Sequence, residues 1–382
     1  MASKRLDYID ALRGLAITGV IITHTASLAG VKGPVRNLTN LAGNGVLLFF
    51  VVSAFTIFLT FHRAAQSEQR PVRNFFIKRV MRIAPIYWLG MILYTVVYGL
   101  GSRGWRPGPE IWHYPFHATF TNLLVPGVAS SVVPGGWSIS CEMLFYVTVP
   151  LWFLLIKSTR AAAIFTLICI TVLPLMVLGM QHLFAPMLAS VPADEVKEYW
   201  YRSFPSQLGS FSFGILLYFL IRDGKGRFLQ NKSINLAVIL LAAAIMLVTH
   251  MKPALLPRQY WFTASCMLIA WALSHHSWSG VVNKLTIFMG KISYSGYILH
   301  FLVIDKLFKV LPAQSQPLAT FITLFSVGMA VTIPLAYLSF KFIETPLAQQ
   351  AKGWIKQLES KSSTHGDLED DALAGELRTT QG

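Results

Sequence analysis

The chain has 382 residues, of which 54% are hydrophobic and only 13% charged. A soluble domain carries about 25% charged residues, so this composition, with a mean hydropathy of +0.54, excludes an ordinary soluble globule and indicates an all-α integral membrane protein with several spans. The net charge of +15 is distributed over the edges of apolar runs and not over one soluble face, which argues against nucleic-acid binding and for membrane orientation or an anionic ligand.

Apolar runs long enough to cross a bilayer predict a polytopic bundle of about ten transmembrane helices, at 11–29, 44–61, 83–101, 136–156, 161–180, 203–221, 234–250, 259–274, 285–305 and 318–340. The first resembles a signal peptide in having Lys4 and Arg5 before it and Ser27-Leu28-Ala29 at its end, but Asp7, Asp10 and Arg13 within or beside the apolar stretch weigh against cleavage. Segment 113–133 reads as an outer loop or re-entrant turn. With ten spans and a cytoplasmic N-terminus, 22 of the 32 Lys and Arg fall on the cytoplasmic side. The positive-inside rule therefore places both termini in the cytoplasm, in the cell inner membrane. Residues 1–350 form the membrane domain. Residues 351–382 read as a polar, acidic cytoplasmic tail, with an interfacial turn near Trp354 and disorder beyond. No internal repeat is evident. Cys141, Cys169 and Cys266 lie in apolar segments with neither zinc nor disulfide spacing, so no metal site is expected.

Four segments carry residues suited to chemistry. In DALRGLAITGVIITH (Asp10 to His24), Arg13 and His24 are eleven residues apart. They share one helical face about 16 Å apart along the axis, and ionisable residues in an apolar helix usually serve function. In RNFFIKRVMRIAPIYW (Arg73 to Trp88), Lys78, Arg79 and Arg82 are spaced to form one basic patch, and arginine forks suit phosphate oxygens. In GGWSISCEMLFY (Gly135 to Tyr146), Ser138, Glu142 and Tyr146 share a face, and Glu142 needs a partner or a function inside a span. In GKISYSGYILH (Gly290 to His300), Ser293, Tyr297 and His300 share a face. Span two adds Ser53, and FIETP puts Glu344 just past span ten. Each has a plainer alternative: edge charge, lipid-headgroup binding or helix-to-helix hydrogen bonding.

The assumed topology puts His24, Glu142 and His300 at similar depth in the outer half, and Arg13, Lys78, Arg79 and Arg82 at the cytoplasmic face. That arrangement suits an elongated anionic ligand, with phosphates held below and a reactive end reaching up to His24.

Together these segments resemble the membrane acyltransferase-3 family over roughly Leu6 to Pro346. Arg13 and His24 meet its signature of Arg or Lys, ten residues, then His. GVLLFFVVSAF resembles its second-helix motif, with Ala54 where glycine is usual, and KRVMRIAPIYW its RxxR element through Arg79 and Arg82. WSISCEMLFY resembles its tryptophan-serine-x-x-x-glutamate segment ending at Glu142, ISYSGYILH its late histidine motif, and FIETP its C-terminal one. Each motif alone is loose, but six in order are specific. The resemblance implies transfer of an acyl group, often acetyl, from cytoplasmic acyl-CoA to a hydroxyl. It also implies RxxR contacts to the CoA phosphates and an essential span-one histidine. Some relatives carry an extra periplasmic SGNH-type domain. This chain stops short of one, so a separate soluble transferase, or none, is expected.

On this reading His24 is the general base or an acyl relay. Glu142 and Arg13 assist it, and Arg73, Lys78, Arg79 and Arg82 bind CoA. Ser53, Trp137, Ser138, Tyr297 and His300 position the acceptor, a cell-envelope or lipid-linked saccharide. A small-metabolite acceptor is the alternative within the enzyme class. A proton-coupled exporter of an anionic or glycosylated substrate is the alternative outside it.

Overall fold

The computed structural model describes residues 6–103, 107–251, 256–311 and 316–360. Its elements are all helical: α1 (Asp7–Leu28), α2 (Gly33–Ala42), α3 (Gly45–Ser67), α4 (Pro71–Tyr98), α5 (His113–Ala118), α6 (Gly136–Leu155), α7 (Thr159–Phe184), α8 (Ala193–Arg202), α9 (Phe204–Arg222), α10 (Lys232–Met251), α11 (Arg258–His275), α12 (Lys284–Lys291), α13 (Ser293–Val310) and α14 (Pro317–Ser339). Among the described residues eight helical runs are long and apolar enough to cross a membrane, or nine if α12 and α13 are one broken span.

The expected ten spans are thus not all met by length and composition. The expected span 259–274 is a helix, α11, but its 18 residues include Arg258, Gln259, Thr263, Ser265, Ser274 and His275, too polar for that criterion. The expected span 285–305 is bent by 79° between Lys291 and Ser293. Asn283 starts α12 with a capping box to Thr286, satisfying backbone donors that a helix start leaves open. Ile292 then turns the chain (φ −93°, ψ 4°), and α13 begins afresh.

What holds α12 at that angle is contact with α1. A Cβ on Gly290 would lie 1.8 Å from the Asp10 carbonyl oxygen, and one on Gly14 would lie 2.1 Å from that of Thr286. The two backbones meet where only hydrogen fits, the small-residue packing that membrane helices use in place of a hydrophobic drive.

Segment 113–133 folds back into the bundle as α5, a 3₁₀ turn at Asn122–Leu124 and a buried stretch including Val128, Val132 and Val133. At the other end, helix continues through residues 345–360 where a turn and disorder were expected from 351. Ala351 and Ile355, one turn apart, are buried, and Glu359 accepts from Asn74 Nδ2 at 2.7 Å, which docks this helix on the start of α4. Residues 361–382, the rest of the expected tail, lie outside the described residues, as do Lys4 and Arg5.

The glycine contact predicts that Gly290→Ala loses about 1–3 kcal/mol of stability, the usual cost of overpacking, read as a lower melting temperature in detergent. Gly179→Ala, where a Cβ meets nothing within 4 Å, should not lower it.

Candidate active site

Four helices, α1, α4, α6 and α13, contribute to both of two cavities. The first is lined by Arg13 of α1, Ser53 and Thr56 of α3, Arg79 and Arg82 of α4, and Glu142 of α6, with Tyr297 of α13 at one edge. The second is lined by His24 of α1, Trp137 of α6 and Phe301 of α13, with Arg103, Arg202 and Asp305 supplying its charge. Along α1, α4 and α13 the chain passes from the first cavity to the second. Along α6 it passes from the second, at Gly135 and Trp137, to the first, at Ser138 and Glu142.

The wall between the cavities is a small hydrogen-bonded cluster. Ser138 Oγ donates to the Tyr297 hydroxyl at 2.9 Å, and Tyr297 donates to the Gly135 carbonyl at 3.1 Å. Gly135 starts α6 with φ +78°, a left-handed conformation that favours glycine. A Cβ there would also lie 2.9 Å from the Tyr297 oxygen.

The first cavity holds three guanidinium groups and one carboxylate. Glu142 Oε1 accepts from Ser53 and from the Tyr146 hydroxyl at 2.5 Å, so one carboxylate oxygen takes two hydroxyl donors, which offsets part of the cost of desolvating the charge. Arg13 donates to Thr56 Oγ1 at 3.2 Å and lies 3.6 Å from Asp10. Arg79 donates to Thr60 Oγ1 at 2.7 Å and sits over the rings of Phe75 and Tyr146 at 5.5 and 5.7 Å. Its Nε is buried without a hydrogen-bond partner among the described residues. Cations exceed anions in this cavity, which suits an anionic ligand.

In the second cavity the His24 ring lies 4.3 Å from that of Phe301 and 5.6 Å from that of His300. His300 Nδ1 is 2.7 Å from the Tyr297 carbonyl, an oxygen that only accepts, so Nδ1 carries the proton. Nε2 is therefore a buried acceptor, without a hydrogen-bond partner among the described residues. Arg103 comes from the loop after α4, and Arg202 pairs with Glu198 at 2.9 Å.

The sequence-derived candidates divide accordingly. Arg13, Arg79, Arg82, Ser53, Ser138, Glu142 and Tyr297 come together on the first cavity. His24 and Trp137 line the second, with His300 against His24. Glu142 therefore shares a cavity with the arginines and not with His24, the grouping expected from matched depth. Lys78 does not join the arginine patch: its ammonium is held by Glu68, across the turn from α3 to α4. Arg73 is also turned away and donates to Asn74 Oδ1 at 3.1 and 3.2 Å. Glu344 accepts from Ser295 in a π-turn at Phe340–Glu344. Sequence reasoning passed over Thr56, one turn after Ser53, and gave Arg103 and Arg202 no role. The signal available for both arginines was their position between an apolar span and aromatic residues.

The roof of the second cavity is the buried loop, which contributes Ser130 and Pro134. His117 secures it. Its Nε2 donates to the Val128 carbonyl at 2.8 Å, so its Nδ1 accepts from the Tyr87 hydroxyl at 2.7 Å. Asn122 donates to Ala129 at 2.7 Å and accepts from Ser140.

The chain matches the acyltransferase-3 family model, described as an acyltransferase domain, over residues 6–341, and it belongs to that family: it is a membrane-embedded enzyme that transfers acyl groups. It is 23% identical over 321 residues to the protein named "Acyltransferase MdmB" from Streptomyces mycarofaciens, covering 78% of this chain and 79% of that one. It is 24% identical over 391 residues to "Putative O-acetyltransferase SAR0937" from Staphylococcus aureus (strain MRSA252), covering 94% of this chain and 60% of that longer protein. No solved structure matches it significantly.

Burial lowers the His117 pKa from the ordinary 6.5 to about 3, chiefly by desolvation, with the Val128 hydrogen bond opposing. The unfolded chain takes up this proton below about pH 6.5, and the folded one does so only near pH 3. The stability His117 contributes is therefore present above pH 6.5 and is lost as pH falls towards 3. Melting temperatures measured from pH 7 to pH 4 should fall with pH, and His117→Gln should flatten that slope.

Proposed function

We propose that the enzyme moves an acyl group, most simply acetyl, from acyl-CoA to a hydroxyl of a cell-envelope or lipid-linked saccharide, with donor and acceptor entering from opposite ends. The observation that carries this reading is the pair of cavities sharing one wall at Tyr297, Ser138 and Gly135. One gathers Arg13, Arg79 and Arg82 around Glu142, and the other holds His24 with Arg103, Arg202 and Asp305. The arginine cavity faces the cytoplasm of the inner membrane, where acyl-CoA is made, and Arg79, Arg82 and Arg13 draw in the donor's phosphate-bearing end. Arg13 and His24 stand about 16 Å apart along α1, a span suited to the extended pantetheine arm, so the thioester reaches the wall while the nucleotide stays with the arginines. The name of the Staphylococcus relative favours acetyl and a hydroxyl acceptor.

In the reaction His24 takes the acceptor's hydroxyl proton as the oxygen attacks the thioester carbonyl. The tetrahedral intermediate collapses with cleavage of the C–S bond, and CoA leaves as a thiolate that recovers the proton. A thioester is already activated, so placement and one base supply most of what is needed. His300, with Nδ1 protonated and Nε2 accepting, is set to hold the acceptor or the His24 proton. Glu142, among the arginines, balances their charge while the donor is absent. An acyl-histidine intermediate on His24 is the competing route.

With purified full-length protein, acetyl-CoA and a saccharide acceptor, His24→Ala should abolish transfer while remaining folded in detergent. Arg82→Ala should raise KM for acetyl-CoA about tenfold or more with a smaller effect on kcat, as loss of uniform donor binding does. Transfer by His24→Ala at the wild-type rate would contradict the assignment.

A further inference from the structure

Arg103 is 3% exposed and lines the cavity that holds His24. One terminal nitrogen, Nη2, is fixed by the chain, donating to the Gly99 carbonyl at 3.1 Å and the Tyr114 hydroxyl at 3.3 Å. The guanidinium lies 5.9 Å over the Tyr94 ring. Its Nε and Nη1 are buried, and neither has a hydrogen-bond partner among the described residues. The other charges on this cavity are matched. Asp305 takes Lys309 at 3.0 Å and the Tyr98 hydroxyl at 2.6 Å, and Arg202 takes Glu198 at 2.9 Å. Arg103 therefore stands out as a desolvated cation with two donors unsatisfied, because a buried charge is costly unless it is paired and hydrogen-bonded.

We propose that the acceptor subsite beside His24 is built for an anionic group, a carboxylate or a phosphate, held by Arg103. The inference rests on the reading of this cavity as the acceptor's. Charge-assisted hydrogen bonds from Nε and Nη1 to anionic oxygens complete the guanidinium's shell and anchor the acceptor, so that its free hydroxyl is presented to His24. The preferred acceptor is then an acidic or phosphorylated saccharide over its neutral counterpart.

The test is thermal unfolding of purified full-length protein with three probes: methyl glucuronide, glucose 6-phosphate and methyl glucoside. At least one anionic sugar should raise the melting temperature and the neutral one should not, and the two anionic arms separate carboxylate from phosphate. Arg103→Met should remove the shift, Arg103→Lys should keep part of it, and Arg82→Ala should keep it, which separates this subsite from the arginines of the donor cavity. Equal shifts with neutral and anionic sugars, no shift with either anion, or a full shift in Arg103→Met would overturn the proposal. The wild-type comparison and the lysine variant decide the matter if Arg103→Met fails to fold. Acetyl-CoA turnover by the same wild-type preparation reads the acyltransferase assignment separately: turnover without an anion-specific shift sinks only the inference about Arg103.

Discussion

A charge inside a bilayer survives only where protein or water surrounds it, and that constraint organises this molecule. Arg13, Arg79 and Arg82 are brought to one cavity by α1 and α4, and the carboxylate of Glu142 is set among them under two hydroxyl donors. Ile9 and Ile17 of α1 and Ile83 and Tyr87 of α4 are buried against neighbouring helices, while Ile92 and Val96 of α4 stay on the outer surface. The wall at Tyr297 then separates this chamber from one lined by His24, whose ring lies against His300, together with Arg103, Arg202 and Asp305. The bent connection from α12 to α13 matters here. It lets α13 start at the first cavity with Ser293 and Tyr294, cross the wall at Tyr297, and reach the second at Phe301 and Asp305.

Close backbone contact keeps those positions fixed. Gly290 against Asp10 and Gly14 against Thr286 lock α12 to α1, and α1 carries both Arg13 and His24. A slip of one turn in that packing, about 5.4 Å along the axis, would carry either residue off its cavity. The buried loop, pinned by His117 and Asn122, does the same for the roof over His24.

Much of this was legible from residue spacing. The eleven-residue interval from Arg13 to His24 gives one face because it is close to three helical turns, and the four-residue steps from Ser138 to Tyr146 put Glu142 on a cavity for the same reason. Arg79 and Arg82 were legible as a pair. What spacing does not carry is partner choice. Lys78 fits the same patch by arithmetic but is taken by Glu68, which lies across a turn and ten residues away. Depth counted along the sequence set Glu142 level with His24, yet the wall falls between them, because it depends on how α13 packs against the start of α6. The bend at Ile292 is hidden in a continuous apolar run, and α11 is apolar enough to look like a span while carrying the polar residues that bind its neighbours, such as Gln259 to the Ser206 carbonyl. Arg103 had no visible role until its surroundings were known.

The central claim is that donor and acceptor meet across one wall from opposite ends of the bundle. Sealed proteoliposomes test it directly, using membrane-impermeant acetyl-CoA and a saccharide acceptor. Acyl product should form when acetyl-CoA is enclosed and acceptor is outside, and should not form when both are confined to the outside. Product at equal rate with both reagents on the same side would contradict the account.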